Sequence, residues 1–148
     1  MSSILINLAT KNKMSVGILI ITHDDIGSAL VESLEKMLGT LPLQVKVLPI
    51  RHENEFYEFC YHAKNICNTL NKEHGVLVLT DLFAATPCNI ARKLIPDCRV
   101  RVVAGVNFPM LVRIMNYSSS DLDTLVSIAV SGGCQGILDV NSAELEEE

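Results

Sequence analysis

The chain has 148 residues, 49% hydrophobic and only 5% aromatic, which is most simply one domain with an aliphatic core of useful size. A net charge of −5 argues against a nucleic-acid backbone as partner, since that needs clustered Lys and Arg, and fits a soluble cytoplasmic protein. The five cysteines include no CxxC pair, which argues against a zinc site and suits small buried apolar side chains in a reducing compartment.

The apolar start from Ile4 to Ala9 is too short to span a membrane and lacks the basic flank of a signal peptide. Residues 1–13 therefore read as an extension, 14–140 as the domain, and 141–148 as an acidic tail. Val16 to Thr22 is an unbroken apolar, β-branched run, the pattern of a strand buried on both faces of a parallel sheet. Residues 25–38 have helical spacing in Ile26, Leu30, Leu34, Met37 and Leu38, with Gly39 closing the helix. Val45 to Ile50 is a second strand, 53–71 a second helix, and Gly75 to Thr80 a third strand.

Pro87 opens a helix to about Leu94 with Thr86 as its N-cap. Arg99 to Ala104 is a fourth strand, and another helix starts near Pro109. Residues 121–131 give a further helix, ended by Gly132-Gly133, and Gly136 to Val140 is a candidate last strand. Strict alternation of strand and helix predicts an α/β fold with three layers, α/β/α, around a mainly parallel four-stranded sheet.

Parallel strands place their carboxyl ends on one edge, where open α/β sheets hold their chemistry. Strand one delivers Thr22-His23-Asp24-Asp25 to that edge, strand three Thr80-Asp81-Leu82-Phe83-Ala84-Ala85-Thr86-Pro87, and strand four Gly105-Val106-Asn107-Phe108-Pro109. A histidine there can bind metal, move a proton or accept a phosphoryl group. An Asp81 carboxylate accepting from one imidazole N–H would fix the tautomer and expose the other nitrogen. Backbone N–H groups near Thr86, with its hydroxyl, would face an anion. This combination favours a transient phosphohistidine over metal binding, because adjacent His23, Asp24 and Asp25 rarely complete a coordination shell. Phe83 and Phe108 either cover the sheet edge or meet a partner. His52, His62 and His74 have no partners in the pattern and read as structural.

Four segments carry a resemblance: Gly17 to His23, Gly75 to Phe83, Thr86-Pro87-Cys88-Asn89-Ile90-Ala91, and Ala104 to Leu111. Together, in this order, they resemble the enzyme IIA component of the mannose-family phosphoenolpyruvate-dependent sugar phosphotransferase system. The resemblance implies that His23 is phosphorylated and Asp81 orients it, with the phosphoryl group arriving from the phosphocarrier HPr and leaving to a IIB component. It further implies a homodimer in which a carboxyl-terminal strand, here Gly136 to Val140, pairs with the other subunit; no cofactor and no metal are expected. Ala85, Thr86 and Asp24 would surround the phosphoryl group, and Phe83, Asn107, Phe108 and Pro109 would form the partner surface.

Three departures from that pattern bear on function. The family commonly has Gly after the histidine, where Asp24 stands, and two glycines before the Ser/Thr-Pro pair, where Ala84-Ala85 stands. Alanine costs roughly 1 kcal/mol in a positive-φ conformation, and a carboxylate beside a phosphohistidine repels it unless turned to solvent. No IIB domain is expected within the 148 residues, so the acceptor is expected to be a separate chain or missing. A regulatory IIA-like protein, or the phosphocarrier subunit of a dihydroxyacetone kinase, is the alternative reading.

Overall fold

A computed structural model describes residues 15–52, 55–70 and 73–143; the extension over 1–13 and most of the acidic tail lie outside the described residues. The order is β1 (Gly17–His23), α1 (Ile26–Leu38), β2 (Val45–Ile50), α2 (Phe56–Thr69), β3 (Val76–Thr80), α3 (Thr86–Arg92), β4 (Val100–Ala104), α4 (Phe108–Asn116) and α5 (Leu122–Gln135). The strands form one sheet in the order β2-β1-β3-β4, and every pairing is parallel. The expected α/β class and three-layer build are what the chain adopts.

The two central strands explain the continuous apolar runs. In β1, Ile18 and Ile20 face one side and Leu19 and Ile21 the other, and all four are fully buried. One side packs against Leu34 of α1, Met110, Leu111 and Ile114 of α4, and Leu125 and Ala129 of α5. The other packs against Ala63 and Cys67 of α2 and Ile90 and Ala91 of α3. Period-two alternation inside an all-apolar strand thus feeds two cores at once. Pro49 is tolerated within β2 because that strand lies at the sheet edge.

Two expectations near the carboxyl end are corrected. Gly132-Gly133 does not end α5, which runs on to Gln135. The glycines are there for proximity: a Cβ on Gly132 would lie 2.7 Å from Arg113 Cβ, and one on Gly133 would lie 3.0 Å from Met110 Cε. Their helix cost of about 1 kcal/mol each is offset by the close approach of α4 and α5. Gly136 to Val140 is not a strand in the single chain but turn and irregular backbone after α5. It leaves Ile137, Leu138 and Val140 exposed.

Chain order and strand order together locate the edge that matters. After β1 the chain steps outward to β2, then returns to place β3 on the other side of β1. The carboxyl ends of β1 and β3 therefore flank the switch point, where crossovers diverge and leave a crevice.

Candidate functional site

His23 ends β1 and Asp81 follows β3, so the switch point brings together two residues 58 positions apart. The Asp81 carboxylate organises both loops. Its Oδ2 accepts from the His23 backbone N–H at 2.9 Å and from the ring Nδ1 at 2.7 Å, while Oδ1 accepts from the Leu82 N–H at 3.0 Å. An ionised carboxylate has no proton to give, so Nδ1 is the donor and Nε2 carries the free lone pair. Burial favours the neutral acid, but the His23 backbone N–H, then the ring hydrogen bond, outweigh it and hold Asp81 below the ordinary aspartate pKa. The His23 side chain stays about a third exposed, at 34%.

The entry to α1 is fixed from inside the sheet. Thr22 is fully buried, and its hydroxyl accepts from the Gly27 N–H at 2.8 Å, while Asp25 at the N-cap position makes no side-chain cap bond. Asp24 turns the chain between them with φ 42°, its N–H donating to the Ile50 carbonyl at 3.1 Å. The Asp24 side chain is exposed, and Asp25 forms an ion pair with Arg51, the residue following β2.

After β3, Ala84 takes φ 65°, and Asn89 Nδ2 donates to its carbonyl at 3.3 Å. Thr86 is the first residue of α3 rather than its cap; Ala85 holds the cap position with extended backbone. The Ala85 N–H donates to the Leu82 carbonyl at 3.3 Å, closing the turn. The Thr86 hydroxyl, half-buried, makes no hydrogen bond among the described residues. Thr80, one residue before Asp81, buries its hydroxyl without a partner among the described residues. Leu82 and Phe83 stand out from this loop, Phe83 at 74% exposure.

The loop after β4 is tied down differently. Asn107 caps α4, its Oδ1 accepting from the Met110 N–H at 2.9 Å, and its Nδ2 donates to the Gly133 carbonyl at 3.1 Å. Phe108 packs partly into the core, and Pro109 lies against Gly136, where any Cβ would collide with the proline ring. The structure thus bonds His23 to Asp81, with Asp24 next in the chain on the β1 side and Ala85 and Thr86 at the far end of the β3 loop. Asn107, Phe108 and Pro109 serve first to hold the α4–α5 side together. Among the described residues, no three His, Cys, Asp or Glu converge as a metal site.

The family profile for the PTS system fructose IIA component, EIIA-man, matches residues 17–130. The chain belongs to this family. The mannose-specific EIIAB component of Escherichia coli (strain K12) is 30% identical over 139 residues, covering 90% of this chain and 42% of that protein. The chain therefore spans less than half the length of these mannose-specific relatives. The fructose-specific EIIA component of Bacillus subtilis (strain 168) is 31% identical over 103 residues, or 68% of this chain and 69% of that one.

The mannose/sorbose specific IIA subunit from Enterococcus faecalis shares the fold with a TM-score of 0.78 at 22% identity, over 89% of this chain and 99% of that one. Within the EIIA-man frame, the two positive-φ residues are informative. Asp24 and Ala84 lie where glycine was expected, and both keep the backbone conformation that glycine would adopt at least cost. The sequence could not reveal the Arg51–Asp25 pair or the Thr22 hydroxyl as a helix cap. The first joins residues 26 positions apart; the second puts the capping group on the strand.

Proposed function

We propose that His23 is a phosphohistidine carrier in a sugar phosphotransferase system, receiving its phosphoryl group from HPr and handing it to a IIB component. The observation that carries this reading is the 2.7 Å hydrogen bond from Nδ1 to Asp81 Oδ2, which leaves Nε2 as a part-exposed nucleophile at the switch point. In the step, a new Nε2–P bond forms as the P–N bond of the donor phosphohistidine breaks, its electron pair returning to the donor imidazole. Asp81 stabilises the positive charge that develops on the His23 ring. The Thr86 hydroxyl and amide are the donors available to the phosphoryl oxygens, with Ala85 behind them. Onward transfer reverses the step towards a histidine or cysteine of the IIB component.

Leu82 and Phe83, exposed beside the nucleophile, supply the apolar part of the docking surface for donor and acceptor, with Asn107, Phe108 and Pro109 at its far side. The exposed Ile137, Leu138 and Val140 support a homodimer in which this segment pairs with a second copy. Incubation with phosphoenolpyruvate, enzyme I and HPr should add one acid-labile phosphate, and His23→Ala should abolish it. Labelling that survives the substitution would sink the assignment.

A further inference from the structure

We propose that Arg51 is a charge-compensating residue of the phosphorylated protein, its guanidinium passing from Asp25 to the phosphoryl oxygens on His23. The inference rests on the phosphocarrier reading above and deepens it. Its geometry comes from the register of the edge strand. His23 lies opposite Ile50, and the Asp24 N–H donates to the Ile50 carbonyl, so Arg51 leaves β2 beside the residue that follows the histidine. Neighbouring strands are about 4.8 Å apart, a distance a guanidinium on its flexible stem spans easily.

The charges at this rim need such a residue. Asp81 bonds His23 and Asp24 and Asp25 follow it in the chain, and a phosphoryl group brings roughly two further negative charges. Arg51 is a cation held at this rim by Asp25. Its hydrogen bond to Asp25, then its charge, hold that carboxyl below the ordinary aspartate value, and Asp24 also acts on Arg51 through its charge. Both partners of the ion pair are more than half exposed, at 51% and 68%, so the pair is weak and open to exchange. The planar fork of an arginine fits carboxylate and phosphate oxygens alike, and a phosphoryl group with roughly two negative charges draws it more strongly than one exposed carboxylate with a single charge. Asp25 is thus the resting partner that parks Arg51 near the site.

The test uses opposite signs. The equilibrium labelling of the full chain is measured at limiting phosphoenolpyruvate with catalytic enzyme I and stoichiometric HPr, alongside thermal unfolding of each variant. Arg51→Ala should lower the ratio of phosphorylated to free protein roughly threefold, Arg51→Lys should restore part of it, and Asp25→Asn should raise it roughly twofold. The Arg51→Ala effect should shrink at high salt. An ion pair that merely braces the loop predicts the same direction for Arg51→Ala and Asp25→Asn; that result, or no effect of Arg51→Ala, overturns the proposal. Wild-type protein that takes no label on His23 overturns the phosphocarrier reading itself, a separate outcome.

Discussion

The loops after β1 and β3 differ from the loop after β4 in what supplies their left-handed turn. The loop after β4 uses Gly105 at φ 91°, where an added Cβ would meet nothing within 4 Å. Its amide and that of Val106 both donate to the Thr80 carbonyl at 2.9 Å. The other two loops force Asp24 and Ala84 into the same region without glycine's freedom, at a cost of about 1 kcal/mol for a residue with a Cβ. Each is held by a cross-element bond, from the Asp24 amide to Ile50 and from Asn89 to the Ala84 carbonyl. Backbone strain thus sits in the two loops that hold the His23–Asp81 pair, and the loop with relaxed geometry holds neither residue. Strain persists where surrounding bonds over-determine it, and such positions cluster at reactive sites.

The largest test of this contrast removes the group that ties the strained loops to each other. Asp81→Asn keeps the shape but offers one acceptor atom where the carboxylate serves three N–H groups. Phosphorylation of His23 should fall by about 100-fold or more, because the tautomer is no longer fixed. The pH dependence gives an independent readout. Asp81 titrates lower in the folded protein than in the unfolded chain, so its stabilisation is complete above the unfolded value of about 3.9. It is lost as pH falls below that value through the lower folded pKa. Acid unfolding below about pH 4 should therefore be steeper for the wild type than for Asp81→Asn. Equal acid slopes would mean that the carboxylate does not tie the two loops together.

What could be read beforehand follows the same division. The strands of the sheet were legible because β1 and β3 are buried on both sides, and burial leaves an unbroken aliphatic run in the sequence. The His23–Asp81 pairing was legible because parallel topology forces the ends of β1 and β3 to one edge. Helix ends and loop contacts were less legible, for particular reasons. Gly132-Gly133 reads as a helix break by propensity, yet close packing on Arg113 and Met110 overrides it. Thr86 has the residue type of an N-cap, but the turn closed by Ala85 and Leu82 moves the cap position back by one. Gly136 to Val140 has the apolar content of a strand, but among the described residues it pairs with none of the four strands of the sheet.

A smaller pair of substitutions exchanges the two kinds of loop. Gly105→Ala should destabilise by about 1 kcal/mol, a purely conformational cost because open space surrounds the new Cβ. Ala84→Gly should do the reverse and stabilise by about 0.5–1 kcal/mol, the relief of φ being partly offset by greater freedom in the unfolded chain. Both are read from urea midpoints at constant slope. If Ala84→Gly destabilises, the Ala84 methyl makes packing contacts that matter more than its backbone angle, and the contrast between the loops fails on one side.

The smallest effect belongs to Asp24, and it separates backbone from charge. Aspartate enters the left-handed region more readily than alanine, as does asparagine, so Asp24→Gly should stabilise by less than Ala84→Gly, at most about 0.5 kcal/mol. Asp24→Asn should leave the urea midpoint unchanged while removing one negative charge from the His23 rim. If Asp24 matters through its charge, both variants should raise the equilibrium phosphorylation of His23 by the same modest factor. If it matters through backbone strain, only the glycine variant should move it. Equal shifts would therefore locate the difference between the two strained loops in their chemistry: the β3 loop bends at a neutral Ala84, and the β1 loop bends at a carboxylate next to His23.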